Sequence, residues 1–228
     1  HTHTHTHTHP VLGCRGIRFL LRHPAVFCIQ IRALLRAFSG RPLKLLLPLV
    51  SDPHEVIEAR RLVDLVQDEL VDKGLAIKQK IPLGCMIEVP SAALMCEALA
   101  SEVDFFSIGS NDLLQYTLGM DRGNSAKQDF FSPVHPSVLK LIKQISTEAK
   151  KSGTPVTLCG DMASNPLYTS LLLGLGISEF SCSMRHIPLV RRAIRRASLI
   201  ESFRLAQRVL QMNCHVKITQ LLTELFQD

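Results

Sequence analysis

Five short apolar runs, at 43–50, 82–88, 103–109, 155–159 and 179–183, mark the chain at intervals that segments of helical periodicity fill. The helical pattern covers 25–38, 53–73, 136–151 and 165–173, stopped by Gly40, Gly74, Gly153 and Gly174, and then 187–226 with one or two breaks. Apolar runs of this length read as strands buried on both faces, and strand, helix, strand in succession requires parallel strands joined by crossover helices. Such sheets carry their chemistry at the carboxyl ends of the strands. A closed barrel of this kind needs eight units and about 250 residues. Five strands therefore mean an open sheet or part of a barrel, in a single domain over 10–228. Residues 1–9, "HTHTHTHTH", read as a purification tag outside the fold.

Composition narrows the class. A chain of 228 residues with 46% hydrophobic and 20% charged residues can bury one sizeable core. No apolar run approaches the roughly 18 residues of a membrane span, and no signal peptide is visible. Seven cysteines without a C-x-x-C motif fit reduced structural thiols, hence a soluble cytoplasmic protein with no membrane insertion. The net charge of +6 gathers late, at Arg185, Arg191, Arg192, Arg195 and Arg196. Two tyrosines and no tryptophan leave little to stack bases on, so this cluster reads as a solvated helix face and no nucleic-acid partner is expected.

Polar residues collect at one rim. The second strand ends "MIEVP" with Glu88, the third "SIGSND" with Asn111 and Asp112, and the fourth "LCGD" with Cys159 and Asp161. Neighbouring strands lie about 4.8 Å apart, so carboxylates at adjacent tips can reach one ion. Few, hard oxygen donors suit Mg²⁺ or Mn²⁺ better than zinc. Taken singly, Glu88 is equally a capping residue before Pro90, and Asp112 a carboxylate favoured by a helix dipole. The Gly109-Ser110-Asn111 turn offers backbone N–H groups to an anion. Arg122 in "DRGN" either clamps a phosphate or carboxylate or pairs with Asp121 in a loop. Cys159 is either core packing or a proton donor over a substrate, and Arg15 and Arg18 in "GCRGIR" suit a phosphate or simply a basic turn.

In this order and spacing, "GCRGIR", "MIEVPSAA", "DFFSIGSNDLLQYTLGMDRGN" and "LCGDMA" closely resemble the phosphoenolpyruvate-binding domain of enzyme I of the bacterial sugar phosphotransferase system. The resemblance implies a (β/α)₈ TIM-type barrel, present here as a partial barrel of about five parallel strands. It implies Mg²⁺-dependent transfer of a phosphoryl group from phosphoenolpyruvate to a histidine on an N-terminal domain, releasing pyruvate. The histidine phosphocarrier protein is the implied next acceptor, and a homodimer the implied assembly. Glu88 and Asp112 would hold Mg²⁺, Arg15, Asn111, Asp112 and Arg122 would bind substrate, and Cys159 would protonate the enolate. About three strands, a further phosphate-gripping arginine and the phosphohistidine domain are expected to lie outside this chain, which would impair the isolated piece. Asp161 stands where the resembled pattern carries a glutamate. Competing readings are a non-catalytic dimerisation or regulatory piece, a relative of pyruvate phosphate dikinase or phosphoenolpyruvate synthase, and a Mg²⁺-dependent lyase. Cys159 and Arg122 argue against the lyase, since aldol cleavage needs neither.

Overall fold

The computed structural model describes residues 12–121 and 131–227. Two helices, α1 (Ile17–Arg22) and α2 (Pro24–Ala37), precede β1 (Leu45–Leu47), and α3 (Pro53–Asp72) leads to β2 (Leu83–Ile87). The short α4 (Pro90–Leu94) and α5 (Cys96–Ala100) cross to β3 (Phe105–Gly109), followed by α6 (Ser110–Leu118) and α7 (Pro136–Ser152). After β4 (Val156–Cys159) come α8 (Asp161–Ser164) and α9 (Thr169–Leu175), then β5 (Glu179–Ser181). The chain continues through α10 (Ile187–Arg196), α11 (Leu199–Leu210) and α12 (His215–Gln227). None of these helices is long and apolar enough to cross a membrane.

The sheet order is β1-β2-β3-β4-β5 and every pairing is parallel. Parallel crossovers are right-handed, so a chain that always steps to the next strand in the same direction lays its helices on one face. The face beneath them is apolar, with Leu83, Cys85, Ile87, Phe106, Ile108 and Leu158 all 0% exposed. The opposite face carries Met86, Ser107, Thr157 and Cys159, and at its edges the exposed Leu46, Glu179 and Ser181. The expectation of strands buried on both faces holds for β2 and β3 and needs correcting for the outer strands β1, β4 and β5. Only the helix side is uniformly apolar, while the other side mixes Met86 and Phe105 with Ser107 and Thr157 in its centre and is open at its edges.

Local chemistry explains the helix boundaries. Asp52 caps α3 by accepting from the His54 N–H at 2.7 Å, and Glu55 reaches back to the Ser51 N–H at 2.7 Å, with Pro53 at the first helical position. The imidazole of His135 accepts from the Ser137 N–H to open α7, and Gly153 closes it in the left-handed region. The 187–226 segment divides into three helices with two breaks. One predicted stop is wrong: α9 runs through Gly174 and ends at Gly176. Gly174 is there for packing, because a Cβ at this position would collide with the backbone carbonyl of Ser202 on α11.

At the end of the sheet opposite the rim, Asp104 binds three elements together. Its Oδ2 accepts from the Leu83 N–H and from the Arg60 guanidinium, both at 2.8 Å, while Arg60 also donates to the Ile81 carbonyl at 2.8 Å. Burial alone would push the Asp104 carboxyl up, but the Leu83 N–H, Lys80 and Arg60 outweigh it and hold the pKa at about 2. A depressed pKa stabilises the fold above the unfolded-state value, and that stabilisation is lost as pH falls through the folded value. Asp104→Asn is expected to lower unfolding free energy by about 1 to 2 kcal/mol at pH 7, after solvent screening. The difference from wild type should vanish between about pH 4 and pH 2. Urea titrations across that range check this, and an unchanged difference at pH 2 would contradict it.

Candidate active site at the strand tips

The register sets the rim level: Ile87 pairs with Ile108, and Gly109 with Cys159. Glu88, one residue past β2, is 5% exposed. Its Oε1 accepts from the Leu49 N–H at 2.8 Å. Leu49 has φ 56 and is buried, a left-handed backbone that a leucine holds at a cost of roughly 1 to 2 kcal/mol. The Glu88 bond and the packing around Leu49 fix that geometry at the tip of β1. On the other side of Glu88 lies Gly109, where a Cβ would stand 2.7 Å from Glu88 Oε2. Any side chain at 109 would force the Glu88 side chain to shift.

Asp112 sits in the first turn of α6, favoured there by the helix dipole, and pairs with the Arg15 guanidinium at 3.5 Å. The segment bearing Arg15 is docked on β1, with the Ile17 N–H donating to the Pro48 carbonyl at 3.1 Å. Tyr116 follows Asp112 by four residues and so shares its helical face. Burial pushes the Tyr116 phenol up, and the charges of Arg15, Asp112, Glu88 and Arg18 all act on it. Sequence reading missed Tyr116, although the four-residue spacing from Asp112 was a usable signal.

Cys159 closes the site from β4. Its thiol donates to the Ile108 carbonyl at 3.4 Å, and the buried Ser107 hydroxyl donates to the sulfur at 3.9 Å. Burial pushes the thiol pKa up, with the charges of Glu88 and Asp112 adding, while the Ser107 bond opposes. The group is therefore a thiol at neutral pH. Asn111 forms a reciprocal pair with Asp161, donating from Nδ2 to its carboxylate at 3.2 Å and accepting from its N–H at 3.0 Å. Ser110 Oγ donates to the Cys159 carbonyl at 2.7 Å, so the turns after β3 and β4 are laced together.

Arg15, Glu88, Asp112 and Cys159 thus converge as the sequence suggested, with Asn111 at the same rim. Arg122 lies outside the described residues. Among those described, no group of three or more histidine, cysteine or carboxylate side chains could hold a metal. The hard-oxygen pair of Glu88 and Asp112 fits an ion that takes one or two carboxylates and completes its shell with water and substrate oxygens. A cationic guanidinium, two carboxylates and a protonated thiol around one rim can hold an anion and deliver a proton to it.

The sequence matches the family described as PEP-utilising enzyme, PEP-binding domain, over residues 1–199. The chain belongs to this family. Among relatives of this PEP-binding domain, the phosphoenolpyruvate-protein phosphotransferase of Haemophilus influenzae is 39% identical over 215 residues, 94% of this chain and 37% of the relative. That of Bacillus subtilis is 37% identical over 217 residues, 95% of this chain and 38% of the relative. The chain therefore spans less than two-fifths of the length of these curated relatives. A solved citrate lyase from Burkholderia xenovorans shares the fold, with a TM-score of 0.58 at 20% identity over 74% of this chain and 54% of that one. The PEP-binding domain is accordingly of the (β/α)-barrel type, represented here by five parallel strands.

The thiols of the PEP-binding domain should differ in reactivity. Cys159 is held protonated, whereas the backbone N–H groups of Lys217 and Val216 at the start of α12 draw the Cys214 pKa down. Iodoacetamide at pH 7.5, followed by peptide mass spectrometry, should label Cys214 ahead of Cys159. Faster labelling of Cys159 would mean that its thiol is not held protonated.

Proposed function

We propose that the strand-tip site binds phosphoenolpyruvate with Mg²⁺ and is the phosphoryl-donor site of a phosphoenolpyruvate-protein phosphotransferase. The reading rests on one observation above all: the carboxylates of Glu88 and Asp112 face a common rim that also carries Arg15 and the protonated Cys159 thiol. The named relatives support a phosphotransferase over a dikinase, a lyase or a non-catalytic piece. On this reading the acceptor is a histidine on an N-terminal domain, which then charges the histidine phosphocarrier protein. The working form is a cytoplasmic homodimer.

Phosphoryl transfer asks mainly for positioning and charge neutralisation. Arg15 holds the phosphate, and Arg122 is assigned the carboxylate from its sequence motif. Asn111, braced by Asp161, offers an amide N–H to the substrate. Glu88 and Asp112 hold Mg²⁺, which when bound neutralises phosphate charge and polarises the bond to the leaving oxygen. The P–O bond to the enol breaks as the P–N bond to the acceptor histidine forms, leaving the electron pair on the enolate of pyruvate. Cys159 gives its proton to the methylene carbon, and the resulting thiolate is reprotonated from solvent. A raised thiol pKa suits this acid, because it keeps the proton in place until the strongly basic enolate carbon appears.

Calorimetric titration with phosphoenolpyruvate tests the site directly, with binding expected in the presence of Mg²⁺ and not in its absence. Asp112→Ala should abolish the metal-dependent component, and metal-dependent binding that survives the substitution would remove Asp112 from the ligand set. Cys159→Ala should keep ligand affinity within about twofold while slowing deuterium uptake into the pyruvate methyl group by about 10² or more, followed by NMR. Unchanged exchange would exclude the acid role.

A further inference from the structure

Away from the strand tips, α9, α10, α11 and α12 line an open cleft of about 940 Å³. None of its lining residues belongs to the rim described above. Its floor is apolar, including Leu205 and the buried Leu222, the exposed Phe226 also lines it, and so do four guanidiniums: Arg192 and Arg196 from α10, Arg204 and Arg208 from α11. Glu201 is the single carboxylate of the lining. No ion pair engages any of the four arginines among the described residues.

Two features make this more than a solvated basic surface. Arg192 and Arg196 are four residues apart, as are Arg204 and Arg208, so each pair places like charges on one helical face, where they oppose helix formation. Both repelling pairs line the same cleft. In addition, Ser202 is among the lining residues at 2% exposure, and its buried hydroxyl has no hydrogen-bond partner among the described residues. The four guanidiniums are exposed and carry no counter-charge from the described residues, so they are open to an anionic ligand, and the Ser202 hydroxyl is the one buried polar group here left without a partner among them. Guanidinium forks match phosphate oxygens, the volume lies in the range of small-molecule sites, and an apolar floor needs an apolar body on the ligand.

We propose that this cleft binds a small organic polyphosphate of the nucleoside diphosphate class, with its phosphates on the four arginines and its uncharged body on the apolar floor. ADP and inorganic pyrophosphate are suitable probes, titrated calorimetrically in metal-free buffer. ADP is expected to bind with one site per chain and at least tenfold tighter than pyrophosphate. The double substitution Arg196→Gln with Arg208→Gln should weaken ADP by about tenfold per guanidinium removed. Removing repulsion should leave the unliganded variant at least as thermally stable as wild type, so lost binding could not be attributed to unfolding. Asp112→Ala should bind ADP as wild type does. Equal affinity for pyrophosphate and ADP, undiminished ADP binding in the double variant, loss of ADP binding in Asp112→Ala, or no saturable binding would each overturn the proposal.

Discussion

A buried carboxylate holds the rim together. Glu88 accepts the backbone N–H of Leu49 and fills the space that Gly109 leaves open, so one side chain registers the tips of β1, β2 and β3. A buried carboxylate without partners would be costly, and the Leu49 bond supplies one of them. Leu49 in turn, at φ 56, presents its N–H to Glu88 from the left-handed region. Strain on one strand tip and charge on the next thus sustain each other. The second carboxylate, Asp112, is arranged differently, in the first turn of a helix and against a half-exposed guanidinium. The two acids meet at one place while drawing on separate supports.

Much of this was legible in the sequence, because the signals were local. All five apolar runs became strands, and the helices with an explicit start and stop, such as Pro53–Asp72 with its capping box, fell within a residue or two of the expected ends. Failures came where a partner distant in sequence decides. Gly174 looks like a helix stop, yet it lies inside α9 because the backbone of α11 passes against it. Nothing within α9 records that neighbour. The short helices α1, α4 and α5 were missed because five or six residues hold too little periodicity to stand out.

The site divides in the same way. Strand ends in a parallel sheet point to one rim, so Glu88, Asp112 and Cys159 could be grouped from the order of elements alone. The pairing of Asn111 with Asp161 could not be, since it joins turns fifty residues apart and depends on the two strands being neighbours in register. That pairing gives the shorter acid at 161 a definite task, bracing an amide. Tyr116 escaped notice because the charges around it beyond its own helix come from the segment of Arg15 and Arg18 and from Glu88, both distant in sequence.

The division of labour between the two faces of the sheet has a consequence for how this domain can vary. Cys159 and Leu158 are consecutive, one facing the polar rim and the other the core beneath the helices. Because strand side chains alternate, a single residue inserted or deleted within β4 would exchange them. A thiol would enter the hydrocarbon interior while a leucine occupied its place at the rim. Stability and chemistry are therefore written on the same strand in alternate letters. A change in the length of β4 cannot damage one without the other.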